Sequence, residues 1–320
     1  MNNRQTTRGS GNAVAGPGGT ATINKHFHAA PPAPAEPADV EAAQQLLAEM
    51  PVDDIPPPGG LPPGSTGVLP RNRLFVGRAD ELLELARTLR DGGAAAVGDS
   101  PVISGWGGVG KTQLACEFAW RYGQFFAGGV FWLKFAVQEG VATEIAGCGA
   151  SLSLHEDFTG LPLETQVAMI STRWQDGLPR LLVFDNCEDP ALFQAWCPPS
   201  GDCRILITSR RDAWPPHLGV TTVPLTVLPR PEAVALLLEY RSDLDDSDPS
   251  LDAICNELGD LPLALHLAGS YLERYRHDPF GQPAEYLEAI RRPDLLEHHS
   301  LTLGGKTPTR GDADVAKTFA

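Results

Sequence analysis

Between residues 72 and 291 the apolar positions alternate between two patterns. Short apolar runs at 102–104, 130–135, 181–185, 205–208 and 222–225 have the length and branching of buried strands. Between them the spacing turns helical. Leu82, Leu85 and Leu89 share one face of an amphipathic helix over 81–90, and Leu114, Ala115, Phe118, Ala119 and Tyr122 repeat at helical spacing before Gly123, a C-cap residue. Strands separated mostly by helices predict a parallel sheet covered on both faces. After Pro229 no strand is predicted, and 232–240, 251–258, 263–275 and 283–290 read as four helices of a smaller, all-helical unit. Residues 314–320 resemble an opening helix without a cap, so the chain is expected to be a fragment of a longer protein.

The first 70 residues follow neither pattern. Residues 9–20 are rich in Gly and Ala, and 31–70 are dense in proline. Such composition buries too little apolar surface to offset the entropy of ordering, which predicts a disordered tail. Two pieces of it have local character, a strand-like alternation over 21–28 and a helical stretch over 39–50. His26 and His28 are two possible metal ligands, but two histidines rarely suffice. A solvated docking or oligomerisation segment is the preferred reading. The expected organisation is therefore a tail over 1–70, an α/β domain over 71–228, a helical subdomain over 229–297, and a linker with the start of a further domain over 298–320.

Charge and cysteine usage narrow the class. A formal net charge of -15 over 320 residues disfavours contact with nucleic acid or an anionic membrane, both of which select basic surfaces. No apolar run has the length of a membrane span, and the polar first ten residues lack a signal-peptide core. Six cysteines without C-x-x-C spacing predict buried, reduced thiols in a cytoplasmic protein.

The chemistry starts at Gly105-Trp106-Gly107-Gly108-Val109-Gly110-Lys111-Thr112, which fits the phosphate-binding pattern G-x-x-x-x-G-K-[ST]. A predicted strand precedes it and a predicted helix follows it, the context that the pattern needs. Its glycines let backbone N–H groups curl around phosphate oxygens at a helix N-terminus. Lys111 would reach the β- and γ-phosphates, and the Thr112 hydroxyl would ligate Mg²⁺.

Two strand ends add to it. Arg180-Leu181-Leu182-Val183-Phe184-Asp185-Asn186 is a buried strand delivering a carboxylate to its C-terminal edge, the Walker B arrangement in which Asp185 holds Mg²⁺. An apolar strand ending in Asp is also a common strand-to-turn junction; the preceding phosphate loop makes the functional reading the better one. Asn186 follows where rapidly hydrolysing ATPases usually carry a second acid, so hydrolysis should be slow unless Glu188 or Asp189 substitutes. Arg204-Ile205-Leu206-Ile207-Thr208-Ser209-Arg210-Arg211 sends a cation to the same edge, where a guanidinium would contact the γ-phosphate. Either arginine would serve, and Arg210 is preferred.

With these motifs the chain resembles the NB-ARC type of STAND signalling ATPases, in its bacterial, NLR-like form. Phe75-Val76-Gly77-Arg78-Ala79-Asp80-Glu81 is similar to the family's h-h-G-R-x-x-E motif, 105–112 to its phosphate loop, 129–133 to its second strand and Asp185-Asn186 to its Walker B. Thr208-Ser209-Arg210 is similar to its T-T-R sensor, and Leu258-Gly259-Asp260-Leu261-Pro262-Leu263-Ala264 to its G-L-P-L-A motif, with Gly259 and Asp260 departing from a direct Gly-Leu start. These motifs cover 72–276 in order.

The resemblance implies a P-loop NTPase with a five-stranded parallel sheet in the order 5-1-4-3-2. It implies that Val76 and Arg78 hold the adenine and that Pro262 closes over it. Gly107, Gly108, Val109, Gly110, Lys111, Thr112 and Gln113 would then hold the phosphates. Asp185, Asn186 and Arg210 would form the reacting edge, and Thr112 and Asp185 the Mg²⁺ site. It implies a switch, off with ADP and on with ATP, that self-associates in the ATP state. The winged-helix and repeat domains that usually follow in the family are not read here. His266 falls near the nucleotide on this alignment, although packing on a helix face is the preferred role. Trp106 stands where a smaller residue is usual, either over the phosphates or against a further domain. Two rivals remain, an ordinary P-loop ATPase or small-molecule kinase, and the core of a STAND-type transcription regulator.

Overall fold

The computed structural model describes residues 37–92, 100–152, 154–291, 306–307 and 311–312. Two helices, α1 (Pro37–Ala48) and α2 (Ala79–Asp91), precede β1 (Ser100–Ser104). After the glycine loop, α3 (Lys111–Tyr122) leads to β2 (Val130–Lys134). The helices α4 (Val141–Gly147), α5 (Gly149–Leu152) and α6 (Leu163–Arg173) cross to β3 (Arg180–Asp185), and α7 (Pro190–Trp196) crosses to β4 (Cys203–Thr208). The last strand is β5 (Val220–Pro224). All four pairings are parallel, in the order β2-β3-β4-β1-β5. Read from the other edge, this is the expected 5-1-4-3-2.

The period of two along each strand sends alternate side chains to opposite faces. Leu181, Val183, Ile103 and Leu206 join Leu85, Leu114 and Phe118 on the face covered by α2 and α3. Leu182, Phe184, Val102 and Ile207 join Val141, Ile170 and Phe193 on the other. Burial on both sides is why β1 and β3 are apolar throughout their middles.

The helical unit comprises α8 (Arg230–Tyr240), α9 (Pro249–Glu257), α10 (Pro262–Arg274) and α11 (Pro283–Ile290). Its residues Leu237, Leu251, Leu265 and Tyr286 continue the core on the α2–α3 face, so the helical unit and the α/β unit share one apolar interior. Proline helps fix the helix starts, as at α9, where Asp248 caps the Ser250 amide ahead of Pro249. Among the described residues no helix is long and apolar enough to cross a membrane.

Two expectations need correction. A short antiparallel pair, Lys306–Thr307 with Gly311–Asp312, forms after Pro229, where no strand was predicted. Residues 37–70 are not a free tail but lie against the α/β unit. Leu47 and Met50 are buried, and Thr66 continues the sheet beyond β2, its amide donating to the Val130 carbonyl at 2.8 Å and its carbonyl accepting from Trp132 at 2.9 Å. The Pro56 and Leu69 carbonyls accept from Arg121 and Trp120 of α3. A proline-rich segment cannot build a core of its own, but here it borrows one and covers an exposed sheet edge. Residues 21–28, including His26 and His28, and residues 314–320 lie outside the described residues.

Candidate functional site

Parallel register brings three chain segments to one level of the sheet's C-terminal edge. Ile103 pairs with Thr208, and Phe184 pairs with Ile207, so the loop after β1, Asp185 of β3 and Thr208 of β4 emerge side by side. The loop after β1 then needs its glycines. At Gly105 φ is 145°, and a Cβ would lie 2.4 Å from the Leu225 carbonyl oxygen. Gly108 and Gly110 also have positive φ, and Gly110 is the N-cap of α3. Lys111 bends back over this loop, its Nζ donating to the carbonyls of Gly105 and Trp106, each at 2.7 Å. Trp106 is 85% exposed, so its indole covers nothing among the described residues.

Asp185 is the hub of the edge. Its Oδ1 accepts from the Thr112 hydroxyl at 2.9 Å and from the Thr208 hydroxyl at 2.7 Å, and it is 5% exposed. The Thr208 hydroxyl in turn accepts from the Asn186 amide at 2.9 Å. Asn186 adopts φ 63°, a left-handed conformation that Asn tolerates, and so turns the chain sharply away from β3. Thr112 and Asp185, the two expected Mg²⁺ ligands, are thus adjacent.

The other acids of this segment are engaged. Asp189 caps α7 by accepting from the Ala191 amide at 2.9 Å. Glu188 accepts from the Ser209 hydroxyl and from the Arg210 amide, both at 2.9 Å to Oε2. Of the two arginines, Arg211 is tied by Nε to the Glu188 carbonyl at 3.2 Å and by Nη1 to the Ala213 carbonyl at 3.2 Å. Arg210 is exposed, and its guanidinium forms no hydrogen bond among the described residues.

The helical unit meets the loop directly. The Leu263 amide donates to the Gly108 carbonyl at 3.2 Å, which places Pro262, the first residue of α10, beside the phosphate loop. Gly77 packs so closely on the Glu232 carboxylate of α8 that a Cβ there would clash. Its neighbour Arg78 is buried, bonded to Glu81 at 2.9 Å and to the Thr226 carbonyl at 2.6 Å, while Val76 packs on the shared core. Arg78 is therefore committed to the junction between β5 and α8. His266 bonds through Nδ1 to the Tyr240 hydroxyl inside the helical unit, the packing role preferred from sequence.

The sequence offers Thr208 only as part of the sensor motif and Glu188 only as a possible substitute acid; register at the sheet edge makes the first a partner of Asp185, and the second turns to Ser209 and Arg210. The sequence also leaves the Gly259-Asp260 departure unexplained. Both residues have positive φ, and Arg230 grips Asp260 with Nε and Nη2 at 2.7 and 2.9 Å, which holds the turn before Pro262. That paired carboxylate raises the Arg230 pKa above the usual arginine value.

A glycine loop with positive-φ backbone, a lysine over it, and a hydroxyl beside a buried carboxylate fit a nucleotide phosphate with its divalent ion. A parallel sheet in this order, carrying that loop after β1 and an acid at the end of β3, defines a P-loop NTPase fold. No family model matches the chain. It is 29% identical over 227 residues to the regulatory protein AfsR of Streptomyces coelicolor, covering 63% of this chain and 21% of that protein. To AfsR of Streptomyces griseus it is 26% identical over 246 residues, covering 72% of this chain and 24% of that protein. The chain thus spans less than a quarter of the length of these relatives. Among solved structures, a signal-transduction ATPase with numerous domains and a tetratricopeptide repeat sensor, from Pyrococcus horikoshii, superposes with a TM-score of 0.43. The identity is 24%, over 62% of this chain and 30% of that one.

Proposed function

We propose that this chain is the nucleotide-binding core of a STAND-type regulatory protein, a switch of the NB-ARC kind that is off with ADP and on with ATP. The observation that carries the reading is the hydrogen bond from Leu263 to Gly108, because it joins the phosphate loop to the helical unit. The loop amides and Lys111 would hold the β-phosphate in both states. Thr112 and Asp185 would hold Mg²⁺, which neutralises phosphate charge when bound. Val76 and Arg78, beside the junction of β5 and α8, and Pro262 at the start of α10 would enclose the adenine; Glu81 and the Thr226 carbonyl hold the Arg78 guanidinium, so its part would fall to its backbone. Only ATP offers a γ-phosphate to Arg210, and only such a differential contact shifts a two-state equilibrium.

Hydrolysis in this reading resets the switch and is slow. Asn186 cannot accept a proton, Glu188 is bonded to the Ser209–Arg210 turn, and Asp189 caps a helix. The engaged acids count against the small-molecule kinase, which needs a base. Self-association in the ATP state, in the cytoplasm, would convey the signal. The two AfsR relatives are regulatory proteins, which supports a regulatory output; with a net charge of -15, any DNA contact would be made by another part of the whole protein.

Turnover under excess Mg·ATP tests this reading. A switch should hydrolyse far below the ordinary enzyme rate of about 10 s⁻¹. Turnover at that rate would favour a metabolic ATPase.

A further inference from the structure

Beyond Asp185 the chain does not leave the sheet edge. The Cys187 amide donates to the Thr208 carbonyl at 3.0 Å, which folds the segment after β3 back along the end of β4 and brings Glu188 against the Ser209–Arg210 turn. There its carboxylate meets a buried serine and the amide that follows it. Oε2 accepts from the Ser209 hydroxyl at 2.9 Å and from the Arg210 amide at 2.9 Å, and Oε1 lies 3.0 Å from the same amide. Ser209 is fully buried, and its hydroxyl oxygen accepts in turn from the Arg211 amide at 3.1 Å. The Glu188 carbonyl draws in the Arg211 side chain. One residue of the Walker B segment therefore fixes the backbone of Arg210, diverts the neighbouring arginine, and leaves the Arg210 side chain directed to solvent.

We propose that Glu188 is the positioning residue of the γ-phosphate sensor: its carboxylate holds the turn that presents Arg210, so that discrimination between di- and triphosphate depends on it. This rests on the reading of Arg210 as the γ-phosphate contact. Hydrogen bonds to an ionised carboxylate are stronger than neutral ones, and here two of them restrain a turn that belongs to no helix or strand. Held in place, the turn need not be ordered when the nucleotide arrives, and that saving is realised only where Arg210 finds a partner. The bonds also tie the segment after β3 to the turn after β4, outside the strand ladder. The same engagement withdraws Glu188 from service as a base.

The test compares wild type, Glu188→Ala, Glu188→Gln, Arg210→Ala and the Glu188→Ala/Arg210→Ala double variant by calorimetry with Mg·ADP and a non-hydrolysable Mg·ATP analogue. Glu188→Ala is expected to weaken the analogue about tenfold or more, the scale of one charge-assisted hydrogen bond, while ADP stays within about twofold. The double variant should lose no more than Arg210→Ala alone. Glu188→Gln, whose amide oxygen still accepts from Arg210, should recover part of the discrimination. An unchanged ATP-to-ADP ratio in Glu188→Ala, with a lowered one in Arg210→Ala, overturns the proposal, as does an equal loss for both nucleotides. Should Glu188→Ala not fold, Glu188→Asp withdraws the carboxylate by one methylene: a lowered ratio supports the proposal and an unchanged one overturns it. An unchanged ratio in Arg210→Ala overturns the γ-phosphate reading itself, and this positioning role with it.

Discussion

The Leu263 amide and the Gly108 carbonyl, 3.2 Å apart, are the point where the helical unit grips the phosphate loop. Leu263 is the second residue of α10, and Gly108 stands three residues before Lys111. In the proposed switch, a loop that rearranged around phosphate would carry that carbonyl with it and draw on α10 through its backbone. Arg230 and Asp260 stiffen the other side of the same turn.

Gly108→Ala should weaken this connection. The position has φ 82°, and an added Cβ would lie 3.3 Å from the Leu263 Cβ. A left-handed conformation costs an L residue about 1–2 kcal/mol, before any displacement of α10 is counted. Thermal melting should show the loss, and nucleotide affinity should fall with it. An unchanged melting temperature would mean that the loop and α10 are not held against one another.

Asn186→Asp should raise ATP turnover with little effect on ADP affinity. Asp tolerates the left-handed conformation almost as well as Asn, and the amide that bonds to Thr208 is unchanged. The variant therefore adds a proton acceptor without disturbing the turn. Steady-state phosphate release measures it, and a rate at or below wild type would show that the missing acid does not limit hydrolysis.

Much of this architecture can be read from the chain, for a physical reason. Strands buried on both faces must be continuous apolar runs, so β3 and β4 stand out, and the glycines and lysine of the phosphate loop occur at fixed spacing because phosphate geometry demands it. What escapes reading is whatever depends on a distant partner. Residues 37–70 have the composition of a free tail, and distant elements supply the surface on which they settle, the β2 edge for Thr66 and α3 for Leu69. Thr208 is legible only as the start of a sensor-like triplet until register puts its hydroxyl on Asp185. Glu188 and Asp189 are chemically equivalent in the sequence; their separate duties follow from where α7 begins and where β4 ends. Asp260 departs from the motif around it, and Arg230, 30 residues away, accounts for the departure.

Glu117→Ala should detach the N-terminal segment. Glu117 lies in α3, its side chain 1% exposed, and receives two bonds from Arg71 at 2.9 and 2.8 Å and one from Arg121 at 2.6 Å. Glu117 is buried while Arg71 and Arg121 keep about a quarter of their side chains in water, so its removal should cost about 1–3 kcal/mol, the scale of lost bonds to a charged group. Urea denaturation should show a loss of that size, and cleavage within 50–72 by a protease should quicken. A loss below about 0.5 kcal/mol, the size of an ordinary surface substitution, would contradict the clamp.

The thiols should be silent at neutral pH. Burial pushes Cys116, Cys148, Cys187, Cys203 and Cys255 from 9.0 to about 12. The native state thus favours the protonated thiol, and an unfolded chain ionises near 9.0. Their contribution to stability is complete below pH 9 and is lost as pH rises toward 12. A thiol reagent at pH 8 should label the native protein slowly and the denatured protein fully, and the melting temperature should fall above pH 9. Rapid native labelling of Cys116, Cys148, Cys187 or Cys255 would contradict the burial.

The central claim is that the loop from Gly105 to Thr112 binds nucleotide phosphate, and Lys111→Ala tests it most directly. Ligand binding to the native state stabilises it by about 2.7 kcal/mol at a hundredfold excess over Kd. Differential scanning calorimetry with Mg·ADP should therefore raise the melting temperature of the wild type and leave that of Lys111→Ala where it was. An equal rise in both proteins, or none in the wild type, would contradict the account.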